Sequence, residues 1–182
     1  MNKSFLKLTA AIFLVGLFLM PVSLAGAASS DSVTVKVTIT PSISVDITET
    51  ELQLGSVSAG GTKVSGAGVT VTNTGSGVNE TYSLSLTNPT GWTAVQDTAA
   101  AEKYILDAAF SSAVAGITWD NTKQALSTTP TLCTSTKFAG DQNGVAVPYN
   151  TPKTLWFQFK APTATATTIE QGIVVTVTAQ AS

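Results

Sequence analysis

Val33-Thr34-Val35-Lys36-Val37-Thr38-Ile39-Thr40 runs into Pro41 and then into Ser42-Ile43-Ser44-Val45-Asp46-Ile47-Thr48. Apolar and polar side chains alternate with a period of two on both sides of the proline. Successive side chains of a strand point to opposite faces, so this is the pattern of strands with one face wetted. Proline supplies no backbone donor, and it divides the run into two units.

The same alternation recurs outward along the chain. Leu52 and Leu54 form a short run closed by Gly55, and Gly60-Gly61 marks a turn. Val69 and Val71 lead to Asn73-Thr74-Gly75, and Tyr82, Leu84 and Leu86 lead to Asn88-Pro89. Near the end, Leu155, Phe157 and Phe159 alternate with Trp156, Gln158 and Lys160, and Ile173, Val175, Val177 and Ala179 alternate with Val174, Thr176 and Thr178. Each piece has the length of an ordinary strand, and the turn residues between them punctuate as turns should. In the middle, Trp92–Val95 and Ile117–Trp119 read as short strands. Tyr104–Phe110 fits a strand or a helical turn, with its aromatic and β-branched content favouring strand. Residues 121–150 are turn-rich, which predicts loops and short strands. The expected fold class is all-β, an antiparallel two-sheet sandwich. Clean alternation argues against a parallel sheet buried on both faces.

The first 27 residues follow the three-part pattern of a secretory signal: Lys3 and Lys7, the uncharged run Ala10–Met20, then Pro21 and the small residues Ala25-Gly26-Ala27. Cleavage predicts a mature, secreted chain starting near Ala28. The rival is a retained anchor, for which Leu8–Leu24 is at the lower limit of about 17–25 residues. With cleavage, no stable membrane insertion is expected, nor any further anchor or sorting signal after the last strand. The remaining stretch of about 155 residues suits a single domain. Lys3 and Lys7 leave with the signal, so seven lysines face 11 acidic residues, a net charge of −4. With no arginine and no basic stripe, the chain lacks the electrostatic footprint of nucleic-acid binding.

Leu52-Gln53-Leu54-Gly55 through Gly60-Gly61, followed by Val69–Gly75, resembles a recurring pattern of immunoglobulin-like modules. In these, a strand ending in Gly passes through a small-residue turn to a strand ending Asn-x-Gly. The resemblance runs over Leu52–Gly75 and implies an immunoglobulin-like sandwich. In overall layout the chain also resembles exported fibre subunits of the TasA and camelysin type.

The chemical inventory is narrow. There is no histidine, so Ser-His-Asp and Cys-His arrangements and His-based zinc sites cannot be assembled. The lone Cys133 forms no intramolecular disulfide and reads as a buried, inert thiol, the alternative being a bond between chains. Glu49 and Glu51 would share one strand face but read as solvated surface, not as a catalytic pair. Asp141-Gln142-Asn143-Gly144 has the flavour of a calcium loop without its remaining ligands, so a plain turn is expected. No cofactor and no enzymatic activity are predicted.

Binding features remain. If Leu155, Phe157 and Phe159 face the core, Trp156 faces out beside Gln158 and Lys160. There it has three readings: a stacking surface for a sugar ring, an interface anchor, or a ring covered by its own chain. Trp92 and Trp119 are expected in the core. Asn79-Glu80-Thr81 matches an N-glycosylation acceptor. A lysine–asparagine crosslink is not expected, because Lys36 lies on the first strand and the last strand offers no asparagine. The first strand, with Val33, Val35, Val37 and Ile39 on one face, follows a short polar leader. It either pairs within its own sandwich or adds to the open edge of a neighbouring copy. Taken together, these features predict an exported structural subunit of a surface layer, tube or fibre whose partner is itself. The alternative is a secreted carbohydrate-binding or adhesive module.

Overall fold

The computed structural model describes Ser30 and residues 32–182. The expected signal sequence, residues 1–27, lies outside the described residues. The chain divides into two units, Met1–Thr38 and Ile39–Ser182, and the sheets belong to the second.

Among the described residues nine strands are formed: β1 (Val45–Ile47), β2 (Thr62–Val64), β3 (Val69–Asn73), β4 (Glu80–Thr87), β5 (Thr93–Ala94), β6 (Lys103–Phe110), β7 (Thr131–Leu132), β8 (Pro152–Lys160) and β9 (Val174–Ala181). They make two sheets. The larger has the order β1-β3-β8-β6-β5 with β2 also on β8, and the smaller has the order β7-β4-β9. β8 organises the larger sheet. One of its edges takes β6, from Phe110↔Leu155 to Ile105↔Lys160. Its other edge is shared end to end, β3 pairing with its first half and β2 with its second. Ser65 spans the break, its N–H donating to Phe157 O and its hydroxyl accepting from Phe157 N.

Strand alternation produces the core. Val69, Val71, Leu84, Leu86, Leu106, Leu155, Phe157, Phe159 and Val177 are all buried in one cluster. The rings of Tyr82 and Phe110 meet at a centroid distance of 6.0 Å, and Trp92 stacks on Phe159 at 6.0 Å and 20°. The Asp141–Gly144 turn belongs to this packing. A Cβ on Gly144 would come within 2.9 Å of Phe110 Cε2 and 3.0 Å of Cys133 Sγ. Gly144→Ala therefore overpacks a closed core. We expect it to destabilise the domain by about 1–3 kcal/mol, read as a lower urea midpoint with an unchanged slope.

Four expectations need correction. Leu52 and Leu54 are half-buried and alternate with exposed neighbours, yet residues 48–61 contain no strand; the pattern is present, but no partner completes a ladder. Ile117–Trp119 is irregular chain following a 3-10 turn at Val114–Gly116. Ile117 is buried there, while Trp119 is half-buried outside the core cluster. One strand pair, β5 with β6, is parallel. Finally, β6 is buried on both faces from Tyr104 to Phe110. Its outer face is closed by the stretch that follows it, through contacts such as Trp156 Nε1–H to Ser111 O at 3.0 Å and Lys160 to Asn121. Asn121 opens α1 (Asn121–Gln124), whose N-cap Asp120 accepts from Thr122 N at 3.0 Å.

Candidate functional site

The smaller sheet has three strands and leaves part of the larger one without a strand above it. A cleft of about 820 Å³ results. Core side chains form its floor, among them Val69, Leu106, Leu155, Phe157 and Phe159, while residues 49–57, residues 165–173 and β9 supply its walls. Its rim has apolar character, Ile169 being 75% exposed. Exposed apolar surface beside an open cleft marks an interaction site more often than isolated exposed residues do.

Two stretches lining the cleft have unused backbone edges. β9 pairs with β4 along its whole length, from Glu80↔Ala181 to Thr87↔Val174, and among the described residues no strand pairs with its other edge. Residues 50–55 have strand-like alternation without a ladder. Each leaves backbone donors and acceptors available to a further strand.

The charged residues lining the cleft are Glu49, Glu51 and Glu170, with no lysine among them. Hydrogen bonds from the Thr48 hydroxyl and from Thr70 N, each 2.7 Å, hold the Glu49 carboxyl below its usual range. Glu49 is thus occupied by a structural contact to β3, and Glu51 accepts from Gln53.

Residues 32–41 belong to neither sheet, and Val33, Val35, Val37 and Ile39 are between 79% and 86% exposed. The strand expected here from the alternation is not formed within the chain.

Trp156 and Gln158 lie on the outer face of β8. Gln158 is buried, and Trp156 is half-buried with its indole N–H bonded to Ser111 O. Asn79 is exposed next to the start of β4, its carbonyl accepting from Ser182 N. Burial pushes the Cys133 thiol up to about 12, which keeps it protonated and unreactive.

Asp141 is taken up by its neighbours. Its carboxylate accepts from the Ser112 hydroxyl, from the Ser111 hydroxyl at 2.7 Å and from Ser112 N at 2.7 Å, which lowers its pKa from 3.8 to about 2. A depressed carboxyl stabilises the fold above its unfolded pKa, and that contribution disappears as pH falls through the folded value. Asp141→Asn is therefore expected to lower the melting temperature at pH 7. The gap to the parent should close between about pH 4 and pH 2; a pH-independent gap in melting scans would contradict this. Among the described residues no group of three or more His, Cys, Asp or Glu side chains could hold a metal ion, and no helix is long and apolar enough to cross a membrane.

Buried charge is found away from the cleft. Asp107 is fully buried with Lys160 Nζ at 3.4 Å, and Lys160 also donates to Asn121 Oδ1. Burial raises the Asp107 pKa, and the Lys160 charge opposes that rise. Sequence reasoning missed this pair, because Asp107 lies in a run without alternation.

Comparison with protein-family models, with curated proteins and with solved structures gives no match.

Proposed function

We propose that this protein is an exported structural subunit of a surface layer, tube or fibre. In this reading an immunoglobulin-like sandwich is joined to further copies of itself through its N-terminal segment. The observation that carries the reading is the exposure of Val33, Val35, Val37 and Ile39 in an alternating segment outside both sheets. Four β-branched apolar residues on one strand face represent a strand without a sheet. An extended segment of this kind adds to the edge of another sheet, backbone hydrogen bonds giving affinity and alternate side chains giving specificity. The absence of histidine and the secretory pattern of the first 27 residues agree with an exported, non-catalytic role. The glycan-binding alternative depends on Trp156 and Gln158; Gln158 is buried and the Trp156 indole N–H is engaged by Ser111 O, which gives it no comparable support.

Sedimentation of the mature chain, Ala28–Ser182, tests the proposal. Self-association that grows with protein concentration is expected. A single monomeric species over a wide range of concentration and salt would refute it.

A further inference from the structure

We infer that the acceptor for residues 33–40 of one copy is the cleft beside the free edge of β9 in the next copy. The inference rests on the reading of the chain as a self-assembling subunit, and it names where that assembly takes place.

Length selects the edge. The larger sheet's path ends in β1, of three residues, and β5, of two, while the smaller sheet ends in β7, of two, and β9, of eight. A donor of eight residues, Val33–Thr40, needs a partner of similar length to satisfy its backbone, and β9 supplies one. Residues 50–55, which line the same cleft with strand-like alternation and no ladder, offer a second unpaired stretch.

Side-chain chemistry agrees. The odd-numbered face of the donor is Val33, Val35, Val37 and Ile39, and the floor of the cleft is Val69, Leu106, Leu155, Phe157 and Phe159. On the other face, between Thr34 and Thr38, is Lys36, the only charged residue in the segment. The charges lining the cleft are all acidic, from Glu49, Glu51 and Glu170. Opposite charges of this kind fix register and disfavour wrong partners more than they add affinity.

The donor and acceptor are different surfaces of one chain. Such a contact is heterologous, and unless its rotation closes a ring it propagates as an open filament.

Hydrogen exchange of the full mature chain tests the assignment. Assembled chains are compared with the parent chain diluted to monomer, and with a chain carrying Val35→Asp and Val37→Asp, which keeps the acceptor intact. In the assembled form the amides of 50–55 and 174–181 are expected to slow ~100-fold or more, with β1, β5 and β7 unchanged. Polymers in which those amides exchange as fast as in monomer, with slowing at another edge, would overturn the acceptor while leaving the subunit reading intact. Slowing already present in dilute monomer would place the segment in its own copy and overturn it too. A chain that forms no polymer would defeat the subunit reading and this inference with it.

Discussion

A mature chain carrying both Val35→Asp and Val37→Asp remains monomeric at concentrations where the parent chain assembles, and its domain is as stable as the parent's. Both halves follow from the position of these residues. Val35 and Val37 are 82% and 81% exposed, so carboxylates there are solvated in the monomer. Surface substitutions of this kind stay within about 0.5 kcal/mol. In a joined strand, the same carboxylates would be buried against the apolar side chains of the cleft floor. Burial of unpaired charge costs several kcal/mol per ion after relaxation. Even about 4 kcal/mol in total corresponds to a loss on the order of a thousandfold in association. Sedimentation reads the first half and urea unfolding the second. Assembly equal to the parent's would remove the segment from the joint. A domain destabilised by more than about 1 kcal/mol would mean that Val35 and Val37 pack within their own chain.

Lys160→Met is expected to have the largest effect on stability of any change outside the apolar core. Asp107 is fully buried, and Lys160 Nζ, 3.4 Å away, is its counter-ion. Removing one partner of a buried pair leaves a charge without compensation, a loss of about 3–5 kcal/mol. The pH dependence separates this cause from lost packing. Burial already raises the Asp107 pKa, and without Lys160 it rises further. A carboxyl with a raised folded-state pKa gives stability that is present below its unfolded value and is lost as pH rises through the folded value. The gap between variant and parent should therefore be widest at neutral pH and narrow as pH falls and Asp107 becomes neutral. Urea unfolding at pH 7 and at pH 5 measures it. Equal losses at both would assign the effect to the aliphatic stem of the lysine.

Period-two alternation was enough to locate most of β1, β3, β4, β8 and β9, because apolar residues alternate with polar or interfacial ones along each of them. It was ambiguous for β6, where Ile105, Asp107 and Ala109 are buried on the outer face as well as Tyr104, Leu106, Ala108 and Phe110 on the inner. A strand covered on both faces has no polar phase to read. Leu52 and Leu54 mark the opposite limit. Their alternation predicts a strand, but a strand is a property of a pair, and no described segment pairs with theirs. The donor half of the candidate site was legible, since Val33–Thr40 is local and its pattern is unmistakable. The acceptor was not, because the cleft draws residues from Ile47 to Val177, and no local period records which of them meet. The Lys160–Asp107 pair was hidden for the same reason, 53 residues separating its members.

Electron microscopy of the mature chain, Ala28–Ser182, in negative stain beside a chain starting at Pro41 tests the central claim most directly. The account predicts filaments or sheets from the first and dispersed particles from the second, which lacks Val33, Val35, Val37 and Ile39. Dispersed monomers from the full mature chain, or equal assembly by both, would contradict it.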